Sequence, residues 1–183
     1  ALLWLVWSPQ QSLASNVSRP DLLFLDAAPS SALQNDTWYD ATVDITCTSN
    51  RSTSDIEIGS DGFFRFPGED ASYFDCGTNF LNGVSTFSVA VWAFPLSLTN
   101  KATPTGHNGQ ENALVHQAGW DNDNFGMSTT QYHSACYIDT GPNVIATGPP
   151  LALGSWNNLA CVYNGSALLL YLDGELEAET STT

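Results

Sequence analysis

Basic side chains are nearly missing from this chain. Only Arg19, Arg51, Arg65 and Lys101 oppose 19 carboxylates, so the 183 residues carry a formal charge of −15. Such a chain is repelled by a phosphate backbone and holds few cations with which to release counterions, which excludes nucleic acid as a partner. Anionic membrane surfaces are poor partners for the same reason; calcium, cationic partners and neutral sugars suit the charge better. Charged residues of both signs make up 13% of the chain, about half the usual share. The polar surface must therefore be built from Ser, Thr, Asn, Gln and Gly, with the acidity keeping the protein in solution. No CxxC pair is present, which argues against a zinc site or a thioredoxin-type motif. No apolar run is long enough to span a bilayer. No Gly-x-Ser-x-Gly turn or glycine-rich phosphate loop occurs, and His107, His116 and His133 are scattered, so Ser/His/Asp catalysis has no support. No window sustains a capped 3.6-residue apolar period, so helix content is expected to be very low.

What is present is a succession of short β-like runs separated by Gly, Pro, Asn and Asp. Strands are expected over Leu22–Asp26, Ala41–Thr48, Asp55–Ile58, Phe63–Phe66, Ser72–Cys76 and Thr86–Phe94. They continue over Ala113–Gln117, Phe125–Thr129, His133–Ile138, Val144–Thr147, Asn158–Tyr163, Ala167–Leu172 and Glu175–Glu179. Strands this frequent, with no helices between them, imply a sandwich or jelly roll. Alternation is clearest where Phe87, Val89 and Val91 share one face and Ser88, Ala90 and Trp92 the other. Both faces are apolar or small, which suits a strand between two layers. The run Leu168–Leu172 leads into Asp173-Gly174, a type I′ signal that should fold it back onto Glu175–Glu179.

Cys47, Cys76, Cys136 and Cys161 each sit in a strand-like context. Strands close in sequence usually neighbour each other, so the expected bonds are Cys47–Cys76 and Cys136–Cys161, in an oxidising, extracellular setting. Sequons at Asn16, Asn35, Asn50 and Asn164 agree with secretion and are candidate glycosylation sites, although a chain this rich in Asn, Ser and Thr produces such motifs by chance. Residues 1–19 read as a separate apolar extension. Leu2, Leu3, Trp4, Leu5, Val6 and Trp7 form either a strand that docks on the protein or donates itself to a neighbour, or the remnant of a secretory signal with Ser12-Leu13-Ala14 as the cleavage site.

The segment Leu153-Gly-Ser-Trp-Asn-Asn-Leu-Ala-Cys-Val-Tyr-Asn-Gly-Ser-Ala-Leu-Leu-Leu-Tyr-Leu-Asp-Gly resembles the laminin-G-like, concanavalin-like superfamily. That family often carries a Trp-x-x-aliphatic-Ala-x-Val-Tyr-x-Gly run followed by an aliphatic strand ending in Asp-Gly. Leu22-Leu-Phe-Leu-Asp-Ala-Ala with Thr37-Trp-Tyr-Asp, Ser72-Tyr-Phe-Asp-Cys-Gly and Phe87-Ser-Val-Ala-Val-Trp-Ala follow in the family's order. The resemblance implies an all-β, antiparallel, two-sheet jelly-roll sandwich over residues 20–183. It also implies that the last strand of that sandwich is lacking, because such domains continue beyond the Asp-Gly hairpin. Trp92, Trp156, Tyr163 and Tyr171 are expected to be core or rim aromatics, with Trp156 sealing one end.

Function follows less directly, since this fold hosts adhesion modules, lectins and glycan hydrolases alike. The reading drawn here is a non-catalytic extracellular adhesion or structural module, self-associating into a filament or coat by N-terminal strand donation. No cofactor is expected, apart from calcium at the oxygen-rich loop that holds Asp121, Asp123 and Asn124. The same residues suit a polar turn. If calcium binds there beside Trp120, the alternative is a lectin-like module with a glycan as partner. A glycoside hydrolase is the third reading. Glu175, Glu177 and Glu179 alternate with Leu176 and Ala178, and strict alternation would set all three on one face, which suits a solvated face better than the paired carboxylates of a glycan hydrolase.

Overall fold

The computed structural model describes residues 3–5, 33–34, 37–39, 46–49, 57–58, 64–66, 73–77, 84–98, 112–117, 125–139 and 143–182. Among them there is no helix, and every strand pairing described below is antiparallel. They fall into two compact units, residues 2–77 and residues 78–183.

The N-terminal unit holds β1 (Leu3–Leu5), β2 (Leu33–Gln34), β3 (Thr37–Tyr39), β4 (Thr46–Ser49), β5 (Glu57–Ile58), β6 (Phe64–Phe66) and β7 (Phe74–Asp75). β6 is flanked by β1 and β5, with Leu3 opposite Phe66 and Leu5 opposite Phe64. Leu3–Leu5 of the apolar N-terminal segment are thus paired with β6. The second sheet runs β2-β3-β4-β7. In Phe64-Arg65-Phe66 the period of two buries both phenylalanines. The Phe74 ring lies 4.9 Å from that of Phe64 and 6.1 Å from that of Phe66. Cys47, fully buried, is bonded to Cys76. The expected strand at Leu22–Asp26 lies outside the described residues. Strands β2 and β3 were not among the expected ones.

The C-terminal unit follows with β8 (Phe87–Ala93), β9 (Asn112–Gln117), β10 (Phe125–Thr129), β11 (Ser134–Asp139), β12 (Asn143–Gly148), β13 (Asn157–Tyr163), β14 (Ala167–Leu172) and β15 (Glu175–Ser181). They form two layers, β15-β14-β13-β8 and β12-β11-β10-β9. Register sets the interior face of the first layer. Leu159 stands opposite Val91 and Leu172, and Cys161 opposite Val89 and Leu170. Leu159, Cys161, Leu168 and Leu170 are fully buried, as are Met127, Cys136 and Ala146 of the other layer. Each fully buried leucine is worth roughly 1.5–3 kcal/mol relative to leaving it in water. The Cys136–Cys161 disulfide crosses from β11 to β13 and ties the layers together. Phe87 meets Phe125 edge-on with ring centroids 5.0 Å apart, and the Thr180 hydroxyl donates to the Ile145 carbonyl at 2.9 Å.

Three details bear on the sequence reading. The type I′ turn is present, with Asp173 at φ 51° and Gly174 at φ 87°, and Asp173 accepts the Asn158 N–H at 2.7 Å. The outer face of β8 is wet, because Ser88 and Ala90 are exposed, so this strand is covered on one side only. The three glutamates of β15 do not share a face. Leu170 stands opposite Ala178 but Tyr171 opposite Leu176, so Glu177 is the extra residue of a β-bulge. Leu172 pairs with Glu175 and Leu169 with Glu179; these neighbours of alternating orientation put Glu175 and Glu179 on opposite faces.

Candidate functional site

The most organised surface of the C-terminal unit is where β13 begins. Asn157, 1% exposed, reaches into the preceding loop. Its Oδ1 accepts the Ala152 N–H at 2.8 Å, and its Nδ2 donates to the carbonyls of Ser155 at 2.8 Å and Ala152 at 3.0 Å. A longer contact of 3.4 Å joins Nδ2 to the Ala93 carbonyl at the end of β8. The Gly154 N–H donates to the Pro95 carbonyl at 2.9 Å, from a backbone at φ 68° that favours glycine. One buried amide and one glycine therefore bind loop 94–98 to loop 149–156. A buried amide satisfied on both ends holds its loop in one conformation.

These fixed loops display apolar side chains. Leu96, Leu153 and Trp156 are 47%, 56% and 39% exposed. Trp156 meets the Phe94 ring at 5.3 Å, edge-on. It was expected to seal one end of the sandwich; it does pack there, yet leaves over a third of its surface in solvent. A ring anchored on one edge and wet on the other is suited to stacking against a sugar or an apolar side chain.

A family model for the concanavalin A-like lectin/glucanases superfamily matches residues 67–183. The chain belongs to this superfamily. The match covers the whole C-terminal unit, including both loops just described. No curated protein matches the chain. The superfamily's description joins lectins with glucanases, so membership leaves binding and hydrolysis both open.

Against that background the other candidate residues are placed as follows. Glu175, Glu177 and Glu179 are exposed, and the bulge divides them between two faces. His116 is exposed on β9, 6.2 Å from the Tyr137 ring. His133 is buried in the β10–β11 turn, where its Nδ1 lies 3.2 Å from the Thr130 hydroxyl. That hydroxyl oxygen also accepts the N–H groups of Tyr132 and His133. Asn164 occupies the β13–β14 turn. Asp121, Asp123 and Asn124 lie outside the described residues, as do Asn16, Asn35, Asn50, Leu2, Val6, Trp7 and His107; Leu3, Trp4 and Leu5 form β1. Among the described residues no three His, Cys, Asp or Glu side chains gather in a metal-binding group. No helix among them is long and apolar enough to cross a membrane.

Asn157 escaped the sequence reading. Its signal was an amide at the head of an apolar strand, directly after a Gly-Ser-Trp turn. Gly126 escaped as well. A side chain there would fall inside the Tyr137 ring, which lies across the β10 backbone.

Proposed function

We propose that this superfamily member is a non-catalytic extracellular recognition module, acting in adhesion or in a secreted matrix, and that it binds through the Leu96–Leu153–Trp156 surface. The observation that carries the reading is that surface: apolar side chains held out to solvent by a buried hydrogen-bond network. Rigid loops lose little entropy on binding, which is what a recognition surface requires. The two disulfides support an extracellular setting. The division of Glu175 and Glu179 between faces supports binding over hydrolysis, because glycan cleavage needs two carboxyl groups flanking one bond.

The test immobilises a panel of β-glucans and extracellular matrix proteins, and measures both retention of the protein and release of reducing ends. Retention without release is expected, falling at least about tenfold in Trp156→Ala. Reducing ends formed above a heat-denatured control, and lost in Glu177→Gln, would reject the reading in favour of a glucanase. The lectin reading, a glycan ligand held with calcium, predicts a higher melting temperature in calcium than in chelator, since a ligand bound only by the native state stabilises it.

A further inference from the structure

We infer that Asn164 carries an N-linked glycan, at the opposite end of β13 from the recognition surface. This rests on the extracellular reading above, because the modification requires passage through a secretory pathway. Asn164-Gly165-Ser166 is an Asn-x-Ser sequon and forms the whole connection between β13 and β14. All three residues are exposed.

The turn uses the Asn164 amide asymmetrically. Its Oδ1 accepts the backbone N–H groups of Ser166 at 2.9 Å and Ala167 at 2.8 Å, and the Ser166 hydroxyl at 3.0 Å. The Asn164 N–H donates to the Ala167 carbonyl at 3.2 Å, and Gly165 takes φ 91° to complete the reversal. Tyr163 and Thr182 brace the loop by donating to the carbonyls of Gly165 and Ser166. None of these bonds uses Nδ2. A planar amide whose oxygen is held by three donors points its nitrogen away from them, and the residue that carries it is exposed.

Glycosylation consumes the part of the amide that the turn leaves unused. Nδ2 attacks the anomeric carbon of an oligosaccharide carried on a polyprenyl diphosphate. The new N–C bond forms as the bond from that carbon to the diphosphate oxygen breaks. The diphosphate leaves with the electron pair, and one Nδ2 proton passes to a base. No atom changes oxidation state overall, and the carbonyl oxygen survives with its three hydrogen bonds. A glycan added to the nascent chain is therefore accommodated by the folded turn without loss of a contact. The seven residues of β13 place this turn roughly 20 Å from Asn157. The glycan shields one end of the sandwich and leaves Leu96, Leu153 and Trp156 open.

The experiment secretes the full chain from cultured eukaryotic cells behind a cleavable signal and maps it by intact-glycopeptide mass spectrometry. Trypsin has no site after Lys101, so chymotrypsin, cutting after Tyr163, supplies the peptide. Expected is a hexose and N-acetylhexosamine mass on Asn164, removed by peptide N-glycosidase in heavy-oxygen water. It is abolished in Ser166→Ala and retained in Ser166→Thr, and Ser166→Ala keeps both backbone bonds to Asn164, so the turn still folds. Secreted, fully oxidised protein with bare Asn164 overturns the inference and leaves the extracellular reading intact. Intracellular retention with reduced cysteines overturns that reading and the inference with it.

Discussion

The hairpins β10–β11 and β14–β15 belong to the same sandwich but meet solvent differently. Every residue of Phe125–Thr129 is buried, and so is every residue from Ser134 to Ile138. On β15, by contrast, Glu175, Leu176, Glu177, Glu179 and Ser181 are all exposed. The buried hairpin keeps its outward positions small, with Gly126 and Ser128 on β10, so that Tyr137 can lie flat across the strand. The exposed strand fills its positions with carboxylates. Volume limits what β10 accepts, whereas β15 must mainly remain hydrated.

This contrast can be tested by substitution, from the strongest expected effect to the weakest. Replacing Cys136 and Cys161 together by Ala releases the tie between layers across 25 residues of chain and should cost about 3 kcal/mol in urea unfolding. A loss below about 1 kcal/mol would mean that packing alone joins the sheets. Asn157→Ala removes the amide that bonds the Ala152 N–H and the Ser155 and Ala152 carbonyls, and should cost about 2–3 kcal/mol. It should also red-shift Trp156 fluorescence; an unchanged spectrum would show that the loop holds its shape without the amide. Gly126→Ala should cost about 1–3 kcal/mol by overpacking, and less when Tyr137→Ala is already present, because the two sites share one contact. Equal costs in both backgrounds would disprove that contact. Glu179→Gln and Leu176→Ser should each change stability by less than about 0.5 kcal/mol; larger losses would mean that β15 is covered like β10.

The strands from Phe87 onward could be read from the chain because their signals are local. Phe87, Val89 and Val91 alternate, Leu168–Leu172 is continuously aliphatic, and Asp173-Gly174 supplies the positive φ that a type I′ turn needs. The bulge at Glu177 is not local. It is a two-against-one mismatch with β14, so alternation within β15 alone placed the glutamates wrongly. Full burial of β10 was equally hidden, since Phe-Gly-Met-Ser-Thr reads like any half-wet strand. Strands β2 and β3 are only two and three residues long, too short for a period to show. The candidate surface was legible in part. Trp156 stood out as an aromatic, but the exposure of Leu96 and Leu153 depends on loop 149–156 being held against Pro95.

The bulge of β15 has one further consequence. Among the described residues β15 is the outermost strand of its layer, so its free backbone groups are what a second copy of the protein would meet. The extra residue disturbs the regular spacing on which strand-by-strand zippering depends, and the surrounding carboxylates repel an identical rim. The bulge and the carboxylates together keep this flank from seeding strand-by-strand stacks of identical copies.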